Sequence, residues 1–216
     1  IAALSKSIKL AKNCDLIHTT SYNAAIPAWI AAKINKKKIY ITFHEVWENL
    51  WFKLPFQSLF SKFGHYLFEQ LILSLPFDRY IAPSKSTATA LENNHIPKEK
   101  IHHIYPGINY SEFFPFSNKT SANKIFIYTY YGRLGISKGL ELILPAFKKI
   151  NQENPNTKLQ LIIPNKPKKI YKWILKYIKK NKLTNNIFIQ NSLPFEALKQ
   201  EIQNSNCILI PSYSEG

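Results

Sequence analysis

The sequence predicts an α/β protein built from two parallel-sheet units in tandem, and three observations carry that reading. Short β-branched and aromatic runs alternate with helical periods along all 216 residues. The alternation is strand–helix–strand, which demands crossover helices and therefore parallel pairing. It lapses once, between Asn109 and Lys124, where Ser, Asn, Pro and Thr accumulate, as they do in linkers. The lapse divides the chain into units 1–115 and 116–216.

In the first unit, Ile1–Cys14 has helical spacing, with lysines between Leu4, Ile8 and Ala11. Asp15–Thr19 is a short apolar run and reads as a strand. Asn23 can cap a helix that carries Pro27 in its first turn and runs to about Ala32. Lys38–Phe43 is β-branched and aromatic, a strand that ends in His44–Glu45. Val46–Phe56 crowds Trp47, Trp51, Phe52, Leu54 and Phe56 into a stretch too irregular for a confident helix. Gln57–Leu75 returns to the helical period, with Leu59, Phe60, Phe63, Tyr66, Leu67 and Leu71 on one face. Arg79–Ala82 is a strand, Ser84 caps a helix to about Asn94, and Ile101–Tyr105 is a strand before the Pro106–Gly107 turn.

The second unit repeats the pattern: strand 125–131, helix 138–150, strand 158–163, helix 167–181, strand 187–190, helix 194–203 and strand 206–210. Pro145 sits inside a helical period. Without an amide proton it should remove one hydrogen bond and kink the helix.

Bulk composition narrows the class. At 45% hydrophobic and 14% aromatic residues, the chain can fill real cores and is not a disordered protein. No apolar run reaches the ~18–20 residues of a membrane span. The chain opens on Ile1, has no Met and stops after an apolar strand, so it reads as an internal piece of a longer protein. The net charge of +16 comes almost wholly from Lys and suits anionic partners in general. Lys, Ile, Asn, Tyr and Phe abound everywhere, so this charge does not single out nucleic acid. Cys14 and Cys207 lie in different halves, fit no metal-ligand spacing and read as buried free thiols of a reducing compartment.

Ligands of open parallel sheets sit beyond the carboxyl ends of the strands. The polar groups at those ends are His44–Glu45, Ser84, the turn 132–139, Asn165 and Ser212–Glu215. Two such units facing each other would form a cleft. The turn Gly132–Arg133–Leu134–Gly135–Ile136–Ser137–Lys138–Gly139 stands out among these ends. It joins a buried strand to a helix N-terminus, where unpaired N–H groups and the helix dipole favour an anion. Arg133 can grip a phosphate with a planar fork, and Lys138 adds a point charge. Only Arg79 and Arg133 are arginines, so Arg133 is not drawn from a general excess. The turn matches neither the P-loop nor the dinucleotide-binding glycine pattern. Taken alone it could be an ordinary βα turn with two solvated cations.

Six short segments in order resemble family 4 of the retaining glycosyltransferases, which have the GT-B fold. Asp15–Leu16–Ile17–His18 is similar to that family's DxxH strand, with Thr20 where a second histidine often stands. His44–Glu45 occupies the end of the next strand, and Ala82–Pro83–Ser84 that of the one after. Gly107–Ile108–Asn109 with Phe113 and Pro115 follows the G-[VI]-D-x-x-x-F-x-P segment, with Asn109 for Asp and Pro106 for the usual Asn. Gly132–Arg133–Leu134 with Lys138–Gly139 fits G-R-L-x-x-x-K-G completely. Pro211–Ser212–Tyr213–Ser214–Glu215–Gly216 opens P-S-x-x-E-G-F-G. One departure is Pro164–Asn165–Lys166–Pro167, where the family tends to have a glycine-rich turn.

The resemblance implies two Rossmann-like domains facing a cleft. The N-terminal, acceptor-side domain would span 1–115 without its first strand and glycine-rich loop, and the nucleotide-sugar domain would span 116–216. It implies transfer of a sugar from a nucleoside-diphosphate sugar to an acceptor hydroxyl, with retention, in glycan, glycolipid or cell-envelope polysaccharide synthesis. Gly132, Arg133 and Lys138 would bind the donor diphosphate, while His44 and Glu215 would be catalytic and bind the donor sugar. Neither a metal nor a cofactor is expected, since fixed cations can stabilise the leaving diphosphate and no acidic pair stands where a metal bridge would need one. Expected partners are the nucleotide sugar and a glycan or lipid-linked acceptor, with no nucleic acid. The expected location is cytoplasmic, with peripheral contact at the inner face of a membrane, for which the aromatic segment 46–56 is the candidate. The alternatives are a degenerate GT-B protein that binds without transferring, and a basic polyanion- or nucleic-acid-binding protein. The latter would show exposed aromatics among its lysines, whereas most aromatics here follow core periods.

Overall fold

A computed structural model describes residues 2–109 and 125–214. The expected junction at 115/116 lies outside the described residues. The chain forms two compact units, one built on Ile1–Ile108 and one on Asn109–Tyr213.

The first unit holds a four-stranded parallel sheet of order β1–β2–β3–β4, with β1 at Leu16–Thr20, β2 at Lys38–Thr42, β3 at Arg79–Ala82 and β4 at Ile101–His103. Helices α1 (Ala2–Ala11), α2 (Ala25–Ile34), α3 (Leu50–Lys53), α4 (Leu59–Ser74) and α5 (Lys85–Asn93) connect the strands. Strand β2 is paired on both sides; Ile39 and Ile41 along it and Phe43 just past its end are fully buried. Burying each such side chain contributes about 1.5–3 kcal/mol. Asp78 sets the start of this strand: its carboxylate accepts from the Ile39 amide at 2.8 Å, and its own amide donates to the Ile39 carbonyl at 2.9 Å. Ser84 caps α5 as expected, with Oγ accepting from the Thr87 amide at 3.0 Å. Asn23 caps nothing. It lies in a 3₁₀ turn, Tyr22–Ala24, and α2 begins after Ala24 without a side-chain cap.

The second unit holds the parallel order β7–β6–β5–β8, with β5 at Phe126–Tyr131, β6 at Thr157–Ile162, β7 at Ile187–Gln190 and β8 at Cys207–Ile208. Its helices are α6 (Leu140–Glu153), α7 (Lys168–Lys180) and α8 (Phe195–Gln203). Leu140, Leu144 and Phe147 of α6 and Ile170, Ile174 and Ile178 of α7 are buried, as are Leu159 and Leu161 of β6. Pro145 lies inside α6 without ending it, since the helix continues to Glu153. Its ring removes only the bond that the Glu141 carbonyl would have accepted. Cys14 and Cys207 are free, but half-buried rather than buried.

Candidate functional site

In the second unit, β5 runs up the middle of the sheet and delivers Gly132 at its carboxyl end. The Gly132 amide donates to the Ile162 carbonyl at 3.2 Å, and its φ of +144° lies where side chains are disfavoured. Arg133 is exposed, and its carbonyl is held by the Tyr130 hydroxyl at 3.2 Å. Leu134 then turns into the core. The Lys138 amide closes a turn onto the Gly135 carbonyl at 3.2 Å.

Gly139 is the N-cap of α6, with φ +67°. A Cβ there would collide with the Pro211 carbonyl oxygen, so glycine is required on steric as well as torsional grounds. The same approach stitches the turn to the segment after β8, where the Tyr213 amide donates to the Ser137 carbonyl at 2.9 Å. Burial, and after it the Glu141 carboxylate, raises the Tyr213 hydroxyl above its ordinary pKa.

Gly132, Arg133 and Lys138 therefore share one turn at the positive end of α6, which is fourteen residues long. Pro211–Tyr213 lies against that turn. Glu215 lies outside the described residues. A cavity of about 220 Å³ opens at the ends of β5, β6 and β7, lined by Gly132, Arg133, Ile162, Pro164, Ser192 and Leu198. Sequence reasoning missed Ser192 and Leu198, which follow β7 without a motif. It also missed Tyr130, whose hydroxyl reaches forward to brace the turn.

In the first unit, His44 stands two residues past β2, with its side chain exposed and its carbonyl accepting from Thr87 Oγ1 at 3.2 Å. His18 of the DxxH-like strand does not project alone: its Nε2 lies 2.8 Å from Thr42 Oγ1.

The segment after His44 is organised by a residue that sequence reasoning passed over. Glu69 of α4 is fully buried and accepts four hydrogen bonds. They come from the Trp47 amide at 2.8 Å, the Glu48 amide at 2.7 Å, Trp51 Nε1 at 3.2 Å and the Tyr22 hydroxyl at 2.9 Å. Four donors on one carboxylate offset much of the cost of burying it. Burial first, and Glu69 second, push the Tyr22 hydroxyl well above its ordinary pKa. Trp47 and Leu54 are buried, Trp51 stacks on His65 with ring centroids 4.9 Å apart, and α3 forms within the segment expected to be irregular. Trp47 and Trp51 of 46–56 thus serve the protein's interior, while Phe52 and Lys53 of the same segment are exposed. The only hint in the sequence was a lone Glu within an otherwise apolar helical period.

Among the described residues, no group of three or more His, Cys, Asp or Glu could hold a metal ion, and no helix is long and apolar enough to cross a membrane.

Two four-stranded parallel sheets with this strand-end arrangement define the class as GT-B. The family model for Glycosyltransferase Family 4 matches residues 1–112, and that for Glycosyl transferases group 1 matches 112–216. The chain belongs to Glycosyltransferase Family 4. Similar solved structures include Anabaena HepE in complex with UDP and glucose, at 17% identity and TM-score 0.72, covering 98% of this chain and 56% of that one. Another is sucrose-phosphate synthase from Thermosynechococcus elongatus, at 19% identity and TM-score 0.71, covering 98% and 55%. A third is a glycosyltransferase from Rickettsia africae, at 21% identity and TM-score 0.64, covering 98% and 55%. This chain spans a little over half the length of those proteins. No curated protein matches it in sequence.

Proposed function

We propose that this chain is part of a glycosyltransferase that moves a sugar from a nucleoside-diphosphate sugar to an acceptor hydroxyl, with retention and without a metal ion. The observation that carries this reading is the turn 132–139, which presents Arg133, Lys138 and the α6 N-terminus at the end of β5, backed by Pro211–Tyr213. Negative charge grows on the departing nucleoside diphosphate as the glycosidic bond breaks. Cations and N–H groups already in place stabilise that charge without reorganising, and losing one such contact costs about 3–4 kcal/mol. Arg133 and Lys138 take this role, with Gly132 letting the backbone approach the diphosphate. The cavity beside Arg133 takes an adjoining part of the donor. Glu215 accepts hydrogen bonds from donor sugar hydroxyls, and His44 hydrogen-bonds the donor sugar and positions the acceptor. No residue is assigned as a covalent nucleophile.

The acceptor in this reading is a glycan or lipid-linked sugar of glycan, glycolipid or envelope polysaccharide synthesis. The enzyme works in the cytoplasm, peripherally at the inner face of a membrane. HepE was solved with UDP-glucose, so a UDP-sugar is the first donor to try.

The test uses the full-length protein in EDTA, scored for nucleoside diphosphate release from UDP-, GDP- and ADP-sugars with an acceptor extract present. One donor should be turned over, and Arg133→Ala should slow release by about 10²-fold or more. Equal release by wild type and variant would remove Arg133 from the mechanism, and release that requires a divalent metal would overturn metal independence.

A further inference from the structure

His44 leaves the end of β2 with its ring exposed, so the aim of the ring is set by the backbone that carries it. That backbone is gripped from two sides. On one side stands Thr87, in the first turn of α5 and only 4% exposed. Its Oγ1 accepts from Ser84 Oγ at 3.0 Å and donates to the His44 carbonyl at 3.2 Å. Ser84 Oγ in turn accepts from the Thr87 amide at 3.0 Å, so two hydroxyls form a relay that ends on His44. A buried hydroxyl needs a partner, and Thr87 finds its acceptor at another strand end rather than on its own helix. A β-branched side chain has few rotamers open to it, which fixes the direction of this bond.

On the other side stands Glu69. Its Oε1 accepts from the Trp47 amide and the Tyr22 hydroxyl, and its Oε2 from the Glu48 amide and Trp51 Nε1. Only Glu45 and Val46 separate His44 from the first of those amides, and the Tyr22 hydroxyl also lies 3.4 Å from the Glu45 carbonyl. Glu48 has a φ of +47°, in the left-handed region that side chains disfavour. Such a conformation persists where its surroundings over-determine it. Here the Glu69 carboxylate takes the Glu48 amide while Asn94 Nδ2 donates to Glu48 Oε1. A loop that only had to close could be packed with apolar side chains. A buried carboxylate shared by four donors admits one geometry, and it imposes that geometry on the residues after His44.

We infer that Thr87 and Glu69 are positioning residues, which clamp the backbone at His44 and beyond it and so aim the His44 ring at the reacting sugar. The inference deepens the role proposed above for His44 and rests on it; both residues act through His44 rather than on the substrate. Aim matters because a reacting group misplaced by about 1 Å loses about 10²-fold in rate. Thr87→Val keeps the shape of the side chain and removes the hydroxyl that holds the His44 carbonyl. Glu69→Gln keeps the size but turns an NH2 group on one pair of donors, so either the Trp47 or the Glu48 amide loses its acceptor.

The test uses the full-length protein with two readouts, nucleoside diphosphate release and the carbon-13 resonance of the His44 Cε1–H group. That resonance, assigned by its loss in His44→Ala, should shift in Thr87→Val and in Glu69→Gln, and return in Thr87→Ser, which keeps the hydroxyl. In Thr87→Val, kcat should fall about tenfold or more, with KM for the nucleotide sugar within about twofold and recovery in Thr87→Ser. In a His44→Ala background the same Thr87→Val change should alter kcat by less than about twofold. A loss as large without His44 as with it would assign Thr87 to folding alone and overturn the inference. A His44 resonance that stays in place in either variant would overturn it as well. If His44→Ala turns over the donor like wild type, the proposed role of His44 falls instead. The resonance needs no substrate, so it still decides whether the clamp holds, and the two readings fail separately.

Discussion

Helices α4 and α7 both bury apolar residues, but they differ in what they leave exposed and in what else they bury. On α7 the apolar positions Ile170, Ile174 and Ile178 face the sheet, while Lys169, Lys172, Lys176, Lys179 and Lys180 face solvent. On α4 the apolar positions Phe60, Phe63, Leu67 and Leu71 face out, while Glu69 faces in beside Phe68, Ile72 and Leu73. A helical period reports that a helix has two faces. Which face is covered depends on what the neighbouring elements offer, and around α4 they offer hydrogen-bond donors. The Trp47 and Glu48 amides, the Trp51 indole and the Tyr22 hydroxyl all need an acceptor, and Glu69 supplies it.

The largest effect that would break this contrast is at Glu69. Glu69→Ala leaves four inward donors without their acceptor, two of them backbone amides, and should cost about 3–5 kcal/mol of stability. Urea unfolding of the full chain measures it, and a loss below about 1 kcal/mol would mean that solvent reaches these donors. Next come paired truncations of the two apolar stripes. Ile174→Ala on α7 should cost about 2–4 kcal/mol and Phe60→Ala on α4 less than about 0.5 kcal/mol. Equal costs would erase the distinction between a covered and an uncovered face.

The smallest effect is in alkali. The Tyr22 hydroxyl keeps its proton in the folded chain above the ordinary phenol pKa, whereas the unfolded chain releases its own near pH 10. The stability that follows from this is complete below about pH 10 and declines above it, by at most about 1.4 kcal/mol per pH unit. Tyr22→Phe should make that alkaline decline shallower, which thermal melts between neutral and alkaline pH would show. An unchanged slope would assign the decline to other groups, among them Tyr80, which burial also raises.

Much of the fold was legible because each signal was local. Strands such as Lys38–Thr42 and Phe126–Tyr131 are runs of β-branched and aromatic residues that pair on both sides, so composition alone marks them. The turn 132–139 was equally legible, since glycine at 132 and 139 answers local demands of torsion and close approach. The segment 44–56 was not. Its tryptophans read as a surface feature because their acceptor lies about twenty residues away on α4, and no sequence period joins the two. Ser192 and Leu198 were missed for a similar reason: they reach the cavity at Arg133 through the β7–α8 connection, which carries no motif.

By itself, then, the sequence determined the alternation of elements, the parallel sheets that alternation entails and the cationic turn after β5, all of which follow from neighbours within a few positions. Only the tertiary structure decided that α4 turns Phe60 and Phe63 outward, that Glu69 gathers the segment behind His44, and that Pro211 presses on Gly139. Those outcomes depend on hydrogen bonds and steric limits between residues distant in the chain, where burial of one unpaired polar group outweighs the placement of several apolar side chains.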